Sequence, residues 1–320
     1  MRILLVDPSR TALKIVSRLL EADGHQLCAF TDEREALNCL AEDPKIEALL
    51  TSVELGEAMS GLELCWQARI VAGDRRPLYI IVMSSNYERA HLIEALDSGA
   101  DDFIGKPPVA DELYARLRAA ARLTAMQRDL IRLASTDPLT GAFNRRAFFQ
   151  AAAEACARAQ SGATAAAIMM DVDFFKKIND VYGHDIGDNV LRGVAAEAAT
   201  VENMVFGRLG GEEFAMILEN HNAHDAAVVA EALRALMMSL SFPSTKGEVR
   251  LTCSFGVAAF EADDTVDTLL KRADLALYEA KSTGRNRVAI AEPKPGNLLT
   301  RPGGMIRGAR RPGELTALAE

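Results

Sequence analysis

Between Met1 and about Ala121, short apolar runs alternate with amphipathic stretches, and this alternation restricts the fold more than any other feature of the chain. Strand-like runs fall at Ile3–Val6, Gln26–Phe30, Ala48–Thr51, Leu78–Met83 and Asp102–Ile104. Stretches such as Thr11–Glu21 and Gly61–Val71 lie between them, with apolar residues at helical spacing. A helix between two strands returns the chain to the edge it started from, so the strands pair in parallel. The predicted fold is α/β, a doubly wound sheet with helices on both faces. Ligands of such sheets bind beyond the carboxyl ends of the strands. Asp7, Ser52, Ser84 and Lys106 would cluster there.

From Asp111 to Thr136 the chain has neither Pro nor Gly, which predicts one long helix connecting two domains. Leu123, Met126, Leu130 and Leu133 follow a 3-4-3 spacing that suits a short two-helix seam, and a homodimer is expected there. Thr136-Asp137-Pro138 breaks the helical pattern. Beyond it, helices mix with strands predicted at Ala165–Asp171, Met204–Leu209, Phe214–Leu218, Arg250–Phe260 and Arg287–Ile290. The expected domains are residues 1–121, a connecting helix over 111–136, a second, α+β domain over 137–292, and a disordered Pro/Gly/Arg-rich tail over 293–320.

Within the second domain, RLGGEEF (Arg208–Phe214) sets two glycines and two glutamates between apolar residues. Gly210-Gly211 suits a tight hairpin, because glycine reaches positive φ at little steric cost. Glu212 and Glu213 would sit at its tip and repel one another unless solvent, a basic side chain or a divalent metal joins them. Upstream, an apolar strand ends in Asp171-Val172-Asp173, followed by Lys176-Lys177. A carboxylate at a strand end, followed by backbone amides and a lysine, makes a plausible triphosphate cradle. Magnesium takes hard oxygen ligands and keeps waters and phosphates, so one or two carboxylates suffice. If the two strand ends are neighbours, Asp171 joins Glu212 and Glu213.

Composition narrows the function classes. A net charge of −9 and a pI near 5.2 argue against a nucleic-acid-coating role. The strand run Leu78–Met83 is far too short to span a bilayer, and MRILLVDPSR lacks a signal-peptide core, so no membrane role is expected. The five cysteines are scattered and never form a CxxC pair, which predicts reduced, buried thiols and a cytoplasmic location. His221 and His224 are spaced like a metal pair but lie in a polar turn, where an exposed loop is the better reading.

Four segments together resemble one family. DPLTGAFNRR (Asp137–Arg146), MDVDFFKKINDVYGHDIGDNVL (Met170–Leu191), RLGGEEF (Arg208–Phe214) and ADLALYEAKSTGRNRV (Ala273–Val288) resemble, in that order, the motifs of the GGDEF domain of diguanylate cyclases, nucleotidyltransferases that condense two GTP into cyclic di-GMP. The resemblance covers Asp137–Ile290 and implies an α+β fold like nucleotidyl cyclases and polymerase palms. It also implies two Mg2+ per site, replaceable by Mn2+, held by Asp171, the Val172 carbonyl, Glu212 and Glu213. Glu212 would be the proton acceptor from the attacking hydroxyl. Phe174, Phe175, Lys176 and His184 would belong to the substrate site, Lys176 also to the catalytic set. Lys281 and Arg285 would neutralise the terminal phosphates, and Asn179 and Asp188 would bind guanine. Many relatives carry an RxxD product-inhibition site; here Val201-Glu202-Asn203-Met204 stands in its place, so strong inhibition through it is not expected.

The N-terminal domain resembles the flavodoxin-like receiver of two-component response regulators, through ILLVDPSR, IVMSS, FIGKPP and SGLELC. The family's phosphoacceptor aspartate is replaced by Ser52 if the following loop has one extra residue and by Val53 if it has none; Pro8 replaces the second acid. Glu54 or Glu57 could act as a fixed negative charge, though solvent exposure is the expected state of both. A pseudo-receiver used for dimerisation or for reading a regulatory protein partner follows from this resemblance. The competing reading is a catalytically silent GTP-binding sensor or an adaptor.

Overall fold

In a computed structural model of the chain, the described residues are 1–294 apart from 57–58, 74 and 86–88. The chain divides into two compact units, Met1–Ser135 and Thr136 onward. The expected tail falls, from residue 295, outside the described residues, as does Glu57.

The first unit alternates as β1 (Arg2–Val6), α1 (Arg10–Ala22), β2 (Gln26–Phe30), α2 (Glu33–Glu42), β3 (Ala48–Ser52), α3 (Gly61–Ala72), β4 (Tyr79–Ser84), α4 (Arg89–Asp97), β5 (Asp102–Gly105) and α5 (Ala110–Ser135). All strand pairs are parallel, in the order β2-β1-β3-β4-β5. Successive side chains of a strand face opposite sides of the sheet. Accordingly Leu4, Val6, Leu49, Ile80 and Val82 pack under α2 and α3, while Ile3, Leu5, Leu50, Ile81 and Met83 pack under α1 and α5. The near-continuous apolar runs of the sequence are those of strands buried on both faces.

The long connecting helix is α5. One face of it buries Leu113, Leu117, Ala120 and Thr124, and from Leu123 onward it leaves Leu123, Met126, Leu130 and Leu133 between 48% and 72% exposed. The 3-4-3 stripe is therefore free of its own unit's core. Glu54 is exposed, as expected.

The second unit runs α6 (Arg145–Gln160), β6 (Ala165–Val172), α7 (Phe175–Tyr182), α8 (His184–Ala198), β7 (Met204–Gly210), β8 (Glu213–Glu219), α9 (Ala223–Ser239), β9 (Ser241–Ser244), β10 (Gly247–Arg250), β11 (Cys253–Ala259), α10 (Val266–Ser282) and β12 (Val288–Ile290). Its main sheet has the order β12-β11-β6-β8-β7 and is antiparallel except for the β11–β12 pair. On one face Ile168, Met170 and Val172 pack with α7, α8 and α9; on the other, Ala167 and Met169 pack with α6 and α10. Gly256 on β11 lies so close to α10 that a Cβ there would overlap the Ala273 carbonyl and the Leu277 amide.

Two local expectations change. The strand predicted over Arg250–Phe260 is two strands, because Thr252 between them accepts the Asp173 amide through its carbonyl (2.9 Å) and donates its hydroxyl to the Asp173 carboxylate (2.7 Å). β10 pairs instead with β9, a strand the sequence reading missed. Among the cysteines, all free, Cys65, Cys156 and Cys253 are buried, but Cys28 and Cys39 are half-buried. Among the described residues no helix is long and apolar enough to cross a membrane. His224 is exposed, and the half-buried His221 ring bonds the Glu219 carbonyl (2.7 Å).

Candidate active site

The site of the second unit is built where β6 and β8 run side by side. Their antiparallel register sets Asp171 opposite Glu213, so the two strand ends are neighbours. The β7–β8 hairpin differs slightly from expectation: Gly210 closes β7 opposite Glu213, and the turn itself is Gly211-Glu212. Gly211 has φ 53°, a left-handed value that a side chain resists. Arg208 holds this turn, donating to the Gly211 carbonyl (2.9 Å) and to Asp137 (2.9 Å). Burial pushes the Asp137 carboxyl up, but bonds from Thr140 and Arg208 outweigh it and leave its pKa below the ordinary value. The segment Asp137–Arg146 thus braces the hairpin, a role the sequence alone does not reveal.

Asp171 is buried, Glu212 half-buried and Glu213 exposed. Burial raises the Asp171 pKa to about 6; Lys281 works against this, while Glu212 and Glu213 add repulsion. The three acidic groups therefore feel one another. Lys281 reaches Asp171 at 2.8 Å. Among the described residues no group of three His, Cys, Asp or Glu side chains is arranged to hold a metal ion. The donor set nevertheless fits magnesium, since carboxylates and a main-chain carbonyl are the hard oxygens it selects. An ammonium now balances charge that a divalent ion beside Asp171 would balance instead.

Next to these acids the chain turns sharply into α7. Phe174, with φ 56°, precedes the helix, and no side chain caps its first turn. Uncapped amides at the start of a helix suit an anion. Asp173, buried at the turn, accepts from the hydroxyls of Thr252 (2.7 Å) and Ser254 (2.7 Å) and from the Asn286 amide (3.0 Å). It ties the loop after α10 to the strand end, and the Arg285 guanidinium lies 4.4 Å from the Phe174 ring centroid. The DxD spacing was the available signal for Asp173; its partners, far along the chain, were not legible. Phe175 is buried, and Lys176 and His184 are exposed.

The pair expected to bind guanine lies on α7 and α8. The Asn179 side-chain oxygen is buried without a hydrogen-bond partner. It packs against Gly187, where a Cβ would overlap it, and Asp188 follows, half-buried. An unpaired buried acceptor is costly and marks a place for a donor.

In the first unit the cluster expected beyond the strand ends is formed. Lys106 pairs with Asp7 and donates to the Ser52 hydroxyl (2.7 Å). Asp7, Ser52 and Ser84 are all buried. Ser52, the last residue of β3, is thus the one that Lys106 reaches, while Val53 packs against the apolar cluster under α2 and α3.

Comparison with known proteins agrees with both units. The family described as diguanylate cyclase, GGDEF domain, matches residues 134–287. The crystal structure of the coiled coil and GGDEF domain of DgcB from Caulobacter crescentus, in complex with c-di-GMP, is 34% identical with a TM-score of 0.52, covering 57% of this chain and 98% of that one. The chain belongs to the GGDEF family. Its N-terminal unit is a response-regulator receiver domain, matched over residues 3–118. The response regulator PleD of Caulobacter vibrioides is 37% identical over 226 residues, 67% of this chain and 50% of PleD. Diguanylate cyclase VdcA of Vibrio cholerae is 36% identical over 176 residues, covering 53% of this chain and 50% of VdcA. The chain thus spans about half the length of these relatives.

Proposed function

We propose that this GGDEF protein is a diguanylate cyclase that joins two GTP into cyclic di-GMP and releases two pyrophosphates. The observation that carries this reading is the β6–β8 register, which sets Asp171 against Glu213 and next to the Glu212 turn. Bound divalent ions, Mg2+ or Mn2+ on Asp171, the Val172 carbonyl, Glu212 and Glu213, would lower the pKa of the attacking hydroxyl and neutralise phosphate charge. Glu212 takes the proton of the 3′-hydroxyl of one nucleotide as its oxygen attacks the α-phosphorus of the other. The amides at the start of α7 and the Lys176 ammonium hold phosphates. Lys281 and Arg285 receive the negative charge that builds on the departing pyrophosphate. Asn179 and Asp188 accept from the N1–H and N2–H2 donors of guanine; adenine lacks this pair and leaves them unpaired, at a cost of about 1–3 kcal/mol. Each chain holds one GTP, so the product requires two chains facing each other.

Incubation with GTP and Mg2+ is expected to yield cyclic di-GMP and pyrophosphate, with Glu212→Ala abolishing product while retaining the fold. The rate is expected not to collapse as product accumulates, because Val201-Glu202-Asn203-Met204 offers neither an arginine nor an aspartate to grip it. GTP bound but not consumed by the wild-type chain would favour the silent-sensor reading instead.

The receiver domain is proposed to act without phosphorylation. A serine hydroxyl stands where an acyl phosphate would form, and Lys106 is already engaged by Asp7 and Ser52. Treatment with acetyl phosphate and Mg2+ is expected to leave the mass of the protein unchanged; a phosphoaspartate in this unit would refute the idea.

A further inference from the structure

The first unit contains a second charged feature, at the opposite end of its strands from Asp7 and Ser52. A cavity of about 650 Å³ opens where the strands begin, and its lining includes Arg2, Lys45, Glu47, Arg75, Arg76 and Arg128. Five cations gather here in a chain whose net charge is −9. Among the described residues Glu47 is the one carboxylate of the lining, and it is engaged by Arg128 at 2.6 Å. Arg2 is paired with Asp43. Lys45 and Arg75 are exposed.

Arg76 is the anomaly. Its guanidinium donates to the main-chain carbonyls of Leu40 (2.6 Å), Asp43 (2.5 Å) and Ile46 (3.3 Å), which carry no net charge. Its Nε is buried without a partner. The nearest carboxylate acting on it, Asp43, is already paired with Arg2, so this partly buried guanidinium, bonded directly to carbonyls only, keeps positive charge to share with whatever enters beside it. Pro44, Ile46 and Pro77 add an apolar part to the same lining. The volume lies within the roughly 300–1,000 Å³ usual for small-molecule sites.

We propose that this cavity binds a polyphosphate group, its charge shared among Lys45, Arg75, Arg76 and Arg128. One phosphate would leave several of these cations unsatisfied, whereas a chain of linked phosphates meets them together. Arg128 belongs to α5, between the exposed Met126 and Leu130, so a ligand that draws it from Glu47 acts directly on the connecting helix. The site thus offers the receiver domain an input that needs no phosphoacceptor. It stands independently of the cyclase reading.

The test is calorimetric titration of the full chain, in EDTA, with tripolyphosphate and separately with ATP. Saturable binding is expected with both, and Lys45→Glu/Arg75→Glu, which changes only exposed side chains, should weaken it about tenfold or more. Glu47→Gln removes the competing carboxylate and should tighten it about threefold. Lys176→Ala, in the other unit, should leave it unchanged. Tighter binding of ATP than of tripolyphosphate would identify a nucleotide as the source of the group; equal binding would identify the phosphate chain alone. The proposal is overturned if the charge-reversed variant binds like the wild type, if Lys176→Ala removes the signal, or if nothing saturates below about 1 mM.

Discussion

Asp171 joins two demands that pull in opposite directions. As the one charged group of β6 it must be ionised to hold a cation, yet burial raises its pKa to about 6, with only Lys281 opposing. A proton and a divalent ion compete for the same oxygens, so the metal is favoured only where the proton has left. In nucleotide-free protein, Mn2+ affinity should be level above pH 7 and should fall about tenfold per unit once the pH drops below 6. Lys281→Met removes the cation that holds this pKa down, so the acid limb should move to higher pH. At a pH above both acid limbs, the variant should bind Mn2+ more tightly because no ammonium competes. Electron paramagnetic resonance of free Mn2+ reads both effects; identical profiles would mean that Lys281 does not share the site.

The proposed nucleotide pocket depends on how closely α7 and α8 approach. Gly187 is the contact: a methyl group there would displace the Asn179 oxygen and press on the Phe175 ring, 3.2 Å away. Gly187→Ala should therefore weaken GTP binding about tenfold or more, by turning away the acceptor that guanine needs, while Asp188 stays in place. Fluorescence titration with a labelled GTP measures this, and unchanged affinity would separate Asn179 from base recognition. Such contacts mark the limit of what was legible. The strands of the first unit could be read from their apolar runs and α5 from a stretch without Pro or Gly, because each is specified by its own residues. The acids at the hairpin were visible as residue types, but their meeting depended on the β6–β8 register. Whether Ser52 or Val53 replaces the phosphoacceptor turned on one residue of loop length, which spacing cannot fix; Ser52 is the one in contact with Lys106. The break at Thr252 and the anchoring of Asp173 involve partners about eighty residues apart, and no local pattern announces them.

At the scale of the whole molecule the cyclase reading requires two chains, because each GGDEF unit supplies one set of acids and one guanine pocket. We propose that the exposed stripe of α5 provides the means. Leu123, Met126, Leu130 and Leu133 face away from their own core, and the spacing suits a seam with a second α5. A single seam of this length is weak, so dimerisation should depend steeply on each apolar contact and on protein concentration. Leu130→Glu/Leu133→Glu sets carboxylates against carboxylates across such a seam and leaves the folded units untouched, since both side chains are exposed in the single chain. Sedimentation should show a monomer, and cyclic di-GMP formation should fall at least about a hundredfold, because the second nucleotide is missing and not because the first is lost. GTP binding per chain should survive. If turnover persisted in a chain that sediments as a monomer, the two nucleotides would have to be brought together by another surface, and α5 would be a tether between the units only.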